Sequence, residues 1–179
     1  KNSANEMVLK GSDLCKYRFH DTDNFIVFRP ESFQQVAPTE YYRAGEKLLY
    51  RFICNQLVFA YDNRQTLSLN SCNVLIPKIP SLSIKYIMAI LNSRIAQFYF
   101  RKQFNSVKVL RSHIEQIPIP NVNKEAQDQL LTLVDSILCA SSETETIMLY
   151  EMIDSIVSDI FELSAEEYNL VKKSMTGEN

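Results

Sequence analysis

The sequence predicts an α+β fold, in which a small antiparallel or mixed β-sheet region with a packed core helix is followed by a C-terminal helical hairpin. Between residues 47 and 77, short runs rich in Leu, Val, Ile, Phe and Tyr alternate with polar breaks, as is typical of strands. From Ile84 to Phe98 the apolar residues recur at helical spacing instead. Nearer the C-terminus, the capping boxes Ser142–Glu145 and Ser164–Glu167 each precede another amphipathic helical stretch.

The strands are expected after an irregular first segment. Residues 1–45 contain Pro30 and Pro38, which favour extended segments and turns over helix. The next segment consists of apolar runs that are too short for helices and are separated by Cys-Asn and Asp-Asn-Arg breaks. Antiparallel strands joined by tight turns are therefore predicted for three runs: KLLYRFI (47–53), QLVFAYD (56–62) and TLSLNSCNVLIP (66–77).

One long helix follows, with Ser81 or Ser83 as its N-cap. The helical pattern breaks after Gln103, and the stripe before the break is formed by Ile84, Ile87, Leu91, Ile95 and Phe98. For residues 104–120 we expect a connecting loop or strand, because the two prolines of the final Ile-Pro-Ile-Pro prevent helix.

The tail is predicted to be helical. Asn123 can cap its first helix, and the two capping boxes mark the starts of the later ones. The chain is therefore expected to divide into a β-rich domain with one long helix (1–120) and a helical tail that packs on it (121–179).

Several classes of enzyme site are absent from the sequence. Only three glycines occur, and neither GxGxxG nor GxxxxGK[ST] is present to cradle phosphates. No acid has Lys two residues later, as a restriction-type nuclease core needs, and the Asn-Pro-Pro-aromatic motif of adenine methylation is missing. The segment HDTD (20–23) offers metal donors, but such residues are far more often those of a turn. We expect no catalytic site, metal or cofactor in this chain.

The four cysteines lack CxxC spacing and lie in apolar surroundings, which predicts reduced thiols in a cytoplasmic protein. No apolar run approaches the 18 residues or so that a membrane span needs. The chain begins at Lys1 without an initiator methionine, so we expect it to be part of a longer protein.

Charge is distributed unevenly along the chain. Residues 1–114 contain 16 Lys and Arg against 8 Asp and Glu, whereas residues 115–179 contain 3 against 13. Residues 78–114 contain seven cations and no acid. This asymmetry indicates a surface that faces a polyanion, or else a basic face that docks on the acidic C-terminal helices of the same chain.

Duplex DNA fits the first alternative, since cations contact phosphates while Asn, Gln, Ser and Arg reach base edges. The sequence interleaves these residue types through its β-rich and basic segments. The candidate DNA-binding residues are Arg43, Lys47, Arg51, Asn63, Arg64, Asn70, Arg94, Arg101, Lys102, Gln103, Asn105, Ser106, Lys108 and Arg111.

A resemblance supports this interpretation. An early Gly11-Ser12-Asp13, the strands around Tyr50, Leu91-Asn92-Ser93 and the closing Ile117-Pro118-Ile119-Pro120 occur in order. Two longer segments, VLKGSDLCKYRF (8–19) and LYEMIDSIVSDIFELSAEEYNLV (149–171), accompany these motifs. In these features the chain resembles the TaqI-like C-terminal specificity domain of N6-adenine DNA methyltransferases and of fused type II restriction-modification enzymes.

The resemblance implies a target-recognition module whose partners are double-stranded DNA and an upstream methyltransferase domain of the same parent chain. That domain would bind S-adenosylmethionine, and Mg²⁺ where the parent also cuts DNA, and would flip the adenine out of the duplex. Two alternatives stay open: a module of a type I restriction specificity subunit, and a protein-interaction domain that docks through the acidic helical hairpin.

Overall fold

The computed structural model describes residues 4–176 and confirms the α+β class, with two small three-stranded sheets and a set of helices. The strands are β1 (Glu6–Leu9), β2 (Phe25–Ile26), β3 (Lys47–Arg51), β4 (Phe59–Asp62), β5 (Leu67–Ser68) and β6 (Cys72–Leu75). The α-helices are α1 (Thr39–Tyr42), α2 (Ile84–Asn92), α3 (Arg94–Phe104), α4 (Arg111–Ile114), α5 (Lys124–Cys139), α6 (Glu143–Ile160) and α7 (Ala165–Thr176). No helix in residues 4–176 is long and apolar enough to cross a lipid bilayer.

The three predicted strand runs divide between the two sheets. In one sheet β3 lies between β4 and β6 and is antiparallel to both; in the other, β1 lies between antiparallel β2 and parallel β5. The run at residues 66–77 is thus two strands. The Leu69 N–H donates to the Leu9 carbonyl (2.9 Å), which holds β5 beside β1, and the Cys72 N–H donates to Leu69 (2.8 Å) in the turn that starts β6.

The central strand β3 is buried on both faces, because its side chains alternate between two apolar layers. Leu48 and Tyr50 belong to the main core, which contains α2 and the helical tail. Leu49 belongs to a second cluster on the other face, with Leu9 and Leu14 of the N-terminal segment. The β-region is therefore covered by the N-terminal segment on one face and by helices on the other.

The prediction of one long helix is wrong, because the helix is split at Ser93. This residue has an extended backbone (φ −67°, ψ 158°), and it ends α2 and caps α3 at the same position. Its hydroxyl accepts from the Ala96 N–H (3.2 Å) and donates to the Ile90 carbonyl (2.7 Å). At the start of α2 it is Ser83, not Ser81, that caps the helix, by accepting from Lys85 N–H (3.3 Å).

The preceding residue, Asn92, connects the helices to the sheet. Its buried amide accepts from the Phe59 N–H (3.0 Å) and donates to the Phe59 carbonyl (2.9 Å). An amide can satisfy both groups of one residue in this way because it has the same donor and acceptor as a peptide group. Asn92 therefore shares the outer edge of β4 with the backbone of Tyr17, whose N–H also donates to the Phe59 carbonyl (2.7 Å) and whose carbonyl accepts from the Tyr61 N–H (3.0 Å).

The tail contains the predicted hairpin, α5 and α6, and a third helix, α7, that returns onto α3. Its predicted caps are present: Asn123 accepts from Ala126 N–H (3.0 Å) and Ser142 from Glu145 N–H (3.1 Å). The capping box at Ser164 also forms, with its own N–H bonded to Glu167 (2.8 Å). Asn123, Ser142 and Ser164 thus fix three helix starts that the sequence predicts locally.

A polar cluster joins the tail to the split between α2 and α3. The carboxylate of Asp154, on α6, accepts from the Arg94 backbone N–H (2.8 Å) and lies 3.4 Å from its guanidinium, which also bonds Glu151. Burial raises the pKa of Asp154, although the hydrogen bond from Arg94 and the charges of Arg94 and Lys16 oppose this shift. At Arg94, therefore, the structure matches the second interpretation of the uneven charge distribution, in which a cation docks on the acidic C-terminal helices of the same chain.

Replacing Asn92 with Ala should lower the free energy of unfolding by about 1–3 kcal/mol, because the Phe59 N–H is then buried without an acceptor. Urea denaturation measures this change. The exposed Asn169, in α7, provides a matched control, and its replacement by Ala should change stability by no more than about 0.5 kcal/mol. Similar values for the two variants would contradict the role given to Asn92.

Replacing Asp154 with Asn should remove a pH-dependent contribution to stability. Because the folded-state pKa is raised, this contribution is complete below the unfolded value of about 3.9 and is lost as pH rises through the folded-state pKa. The free energy of unfolding of wild type minus that of Asp154→Asn should therefore fall as pH rises from about 4 toward neutral. Urea titrations at each pH measure it, with Asp159→Asn as an exposed control. A difference that rises with pH would refute this assignment.

Candidate nucleic-acid interface

Beyond the end of β3, the chain forms a short two-stranded ribbon with a segment far along the sequence. Ile53 lies opposite Lys108 in an antiparallel bridge. The Cys54 N–H donates to the Val107 carbonyl (2.9 Å), and the Val109 N–H donates to the Phe52 carbonyl (2.8 Å). We call residues 52–54 and 107–109 the ribbon. The Phe52 N–H also donates to Ser71 (3.1 Å), so the β5–β6 turn lies beside it.

The ribbon lies between two short cationic segments. The last turn of α3, which carries Arg101 and Lys102, precedes its second strand, and Arg111, at the start of α4, follows it. The Phe104 and His113 rings stack with centroids 4.3 Å apart, which ties the end of α3 to α4. We define the basic end as the ribbon-side members of the predicted set: Arg51, Asn70, Arg101, Lys102, Gln103, Asn105, Ser106, Lys108 and Arg111.

Within the basic end, three cations are exposed and have no carboxylate partner in residues 4–176: Arg101, Lys102 and Lys108. Arg111 is 85% exposed and pairs only with Glu115, one turn away on the surface (2.7 Å). Such an exposed pair is weak because water and salt screen it, so a stronger anion can displace it. Arg51 instead donates to the Leu14 carbonyl, and its Nε is buried without a partner.

The polar residues between α3 and the ribbon have defined backbone roles. Asn105 ends α3 in the left-handed region (φ 38°) and its side chain is exposed. The Ser106 hydroxyl accepts from the Lys108 N–H (3.0 Å) and donates to the Lys108 carbonyl (3.1 Å), which closes a tight turn before the ribbon. Gln103 and Asn70 are exposed. The amide side chains are thus free to contact a ligand, while Ser106 supports the turn.

Four predicted residues lie at the opposite end of the sheet instead: Arg43, Lys47, Asn63 and Arg64. Lys47 pairs with Asp62 across the β3–β4 ladder (2.6 Å) and is fully buried. Arg43 forms two hydrogen bonds with Glu6 (2.6 and 2.8 Å), which lower the pKa of that carboxyl. Arg64 pairs with Asp21 (2.7 Å), and Asn63 is exposed beside it. None of these is continuous with the basic end, and Lys47 does not reach the surface.

Arg94 also lies apart from the basic end, because Glu151 and Asp154 hold it against the tail. Conversely, the ribbon brings forward residues that the sequence analysis did not single out. Ile53 is 61% exposed, and Asn55 and Gln56 follow it in an exposed turn. Their only sequence signal is the Cys-Asn break, which predicts a turn but not its position beside residues 105–107.

No group of three or more His, Cys, Asp or Glu side chains suited to a metal occurs in the described part of the chain. In the HDTD segment, the His20 N–H bonds the Asp13 carbonyl (2.9 Å) and Asp21 pairs with Arg64. The four cysteines are free thiols. Burial raises the pKa of Cys72 to about 12 and also raises that of Cys54, so neither is an activated nucleophile.

Two lysines that the sequence analysis grouped together should behave differently on substitution. Lys47→Met should lower the free energy of unfolding by about 3–5 kcal/mol, because the buried Asp62 carboxylate loses its counter-ion. Lys102→Met removes an exposed charge and should change it by no more than about 0.5 kcal/mol. Urea denaturation of both variants measures the contrast, and equal losses would show that the Lys47–Asp62 pair is not needed by the fold.

Comparison with known proteins gives one finding. The family model for the TaqI-like C-terminal specificity domain matches residues 6–119. No curated protein matches the chain. The matched span includes both sheets, α2, α3, α4 and the ribbon, and it ends before the three tail helices begin.

The residues that carry the resemblance serve the fold. A Cβ on Gly11 would lie 2.5 Å from the Ser71 carbonyl oxygen, so only glycine fits there without a shift of the backbone. Asn92 joins α2 to β4, as described above. In the closing Ile-Pro-Ile-Pro, Ile117 is buried and the Pro120 carbonyl accepts from the Tyr86 hydroxyl (2.8 Å).

With the matched span covering well over half of its residues, the chain belongs to the TaqI-like C-terminal specificity domain family, whose members are DNA-recognition domains of restriction-modification enzymes.

Proposed function

We propose that this chain is the sequence-specific double-stranded DNA recognition domain of a type II restriction-modification enzyme or an N6-adenine DNA methyltransferase. One observation beyond family membership carries the proposal. The fold pairs Arg43, Lys47, Arg64 and Arg94 with its own carboxylates, but within residues 4–176 it leaves Arg101, Lys102 and Lys108 of the basic end without such a partner.

Unpaired cations next to a ribbon suit DNA for a physical reason. A phosphate contact gains free energy mainly by releasing a condensed counter-ion, and a cation that already holds a carboxylate must first give up that partner. Arg101, Lys102 and Lys108 have no such partner to lose. Arg101 and Lys102 also lie in the last turn of α3, where the helix dipole favours positive charge. The basic end is therefore ready to accept a polyanion.

In this proposal the chain grips and reads the duplex, and a separate upstream domain of the parent protein carries out the chemistry. That domain would hold S-adenosylmethionine, and Mg²⁺ where the parent also cleaves DNA, and would receive the flipped adenine. The recognition domain contributes position: once the basic end holds the backbone in register, the target base faces the catalytic site. A type I specificity subunit would place the same module beside a second copy in one chain.

A second candidate function, docking of a protein partner through the tail, is favoured by one feature of α6. Ile147, Met148 and Met152 are 52%, 63% and 50% exposed on this helix. Glu151 lies among them, and it is held by Arg94. An exposed apolar stripe on an acidic helix is suited to a protein surface rather than to DNA.

Fluorescence anisotropy with a mixed-sequence duplex at several salt concentrations tests the leading proposal. Binding should weaken log-linearly with salt, because each phosphate contact contributes about 0.9 to the slope. The triple variant Arg101→Ala/Lys102→Ala/Lys108→Ala should reduce the slope by about 2.7.

The matched control removes three cations that lie outside the basic end, through Arg29→Ala/Lys124→Ala/Lys172→Ala. Because its change in net charge is the same, it should keep the wild-type slope if local contacts rather than overall charge drive binding. Equal slopes for the two triple variants would contradict the proposed interface. Absence of duplex binding even at low salt, combined with a protein complex that persists at high salt, would favour docking through α6.

A further inference from the structure

One face of the ribbon carries Ile53 and Lys108, and the other carries Val107, which is 54% exposed, and the buried Val109. Ile53 and Lys108 are directly opposite each other and are not hydrogen-bonded to each other, since the flanking residues make the bonds. In an antiparallel pair of this kind the two side chains lie on the same face and close together. Here both are exposed, whereas Val109, the next residue, points inward and is buried. The outward face therefore presents an apolar side chain next to a cation.

The dimensions of the ribbon suit the major groove. Two paired strands lie about 4.8 Å apart, and the major groove of B-DNA is about 12 Å wide and accepts a two-stranded ribbon. Each strand of the ribbon has three residues and so spans about 10 Å, or roughly three base pairs.

The side chains near the ends of the ribbon are of two kinds, amides and cations. Because the strands are antiparallel, the exposed Asn55 and Gln56 turn lies at the same end as Asn105. Asn and Gln are the side chains that bond adenine edges in the major groove. Cations flank this arrangement on both sides along the chain, with Lys102 before the ribbon and Arg111 after it. The ribbon and the segments next to it therefore carry both amides of the kind that bond base edges and cations of the kind that bond phosphates.

We propose that the ribbon is the element that enters the major groove, with Ile53 contacting a thymine methyl group and the amides of Asn55 and Gln56 contacting an adjacent base edge. This inference rests on the proposed function and extends it, because it separates the residues that read sequence from the cations that supply affinity. In the free protein the exposed apolar surface of Ile53 is in contact with water, which is unfavourable. Contact with a thymine methyl group removes part of that surface from water and so favours binding.

The first experiment selects duplexes from a pool with a randomised centre, using the 179-residue chain at low salt. Wild type should enrich a motif that contains at least one A·T pair. Ile53→Ser should lose about three- to fivefold of the discrimination at one A·T position, as expected for one methyl contact. Gln56→Ala should lose about fivefold or more at a neighbouring position, as expected for a hydrogen-bonded base edge. Both should keep the wild-type salt slope, because neither removes a phosphate contact.

The second experiment removes the methyl group from the DNA instead of the side chain from the protein. Replacing the thymine at that position with deoxyuridine should weaken wild-type binding about three- to fivefold, as expected for one buried methyl group. The same replacement should have no effect on Ile53→Ser, because the contact is already absent. Ile79→Ser and Gln129→Ala change exposed residues of the same types outside the ribbon and should behave as wild type.

The outcomes separate this inference from the function on which it rests. If deoxyuridine weakens wild type and Ile53→Ser equally, or if both ribbon variants enrich the wild-type motif with unchanged discrimination, the ribbon does not read bases. Log-linear binding with no enriched motif would also overturn the ribbon as a reader while leaving duplex binding intact. No binding to any duplex at low salt would overturn the proposed function itself.

Discussion

The hydrogen bonds between Asn92 and Phe59 determine how the helices meet the sheet. One side-chain amide satisfies both backbone groups of a β4 residue, and it does so from the last residue of α2. The next residue, Ser93, ends α2 and begins α3, so the turn between the helices is fixed to the strand. As a result α2 packs on the sheet and on α5, whereas α3 packs on α6 and α7. We call Asn92 and Ser93 the α2–α3 corner, and the position of the basic end depends on it.

The α2–α3 corner also determines which cations of these two helices lie against the acidic tail. Cations that lie where helices pack together are neutralised by the acidic tail, Arg94 by Glu151 and Asp154, and Lys85 by Asp135 (2.6 Å). Two turns further along α3, the helix has passed beyond the tail acids that pair with Arg94, and Arg101 and Lys102 have no carboxylate partner in the described residues. The acidic tail thus determines which basic residues of α2 and α3 remain available, although the net charge of the whole chain is only −2.

The features that the sequence predicted are local ones. Caps at Asn123, Ser142 and Ser164 depend on bonds to residues within three positions, so their signatures are visible in the sequence. The split at Ser93 was missed because the apolar stripe continues through it from Leu91 to Ile95 with helical spacing. Pairing partners were missed for another reason: Lys47 meets Asp62, and Ile53 meets Lys108, only through strand register. A list of basic residues therefore mixed buried, neutralised and available cations.

The residues that carry the family resemblance and those that face outward from the ribbon are different sets. Gly11 is fixed by its approach to Ser71, Asn92 by β4, and Ile117 by the core, so all three act inside the fold. Ile53, Asn55 and Gln56 make no comparable contact, because they lie in an exposed turn and at the outward face of the ribbon. Substitutions in that turn leave the scaffold intact while they change the groups presented to a ligand. If the ribbon reads DNA, one scaffold can therefore support different recognition sequences, since the residues that hold the ribbon in place are not those that would touch the bases.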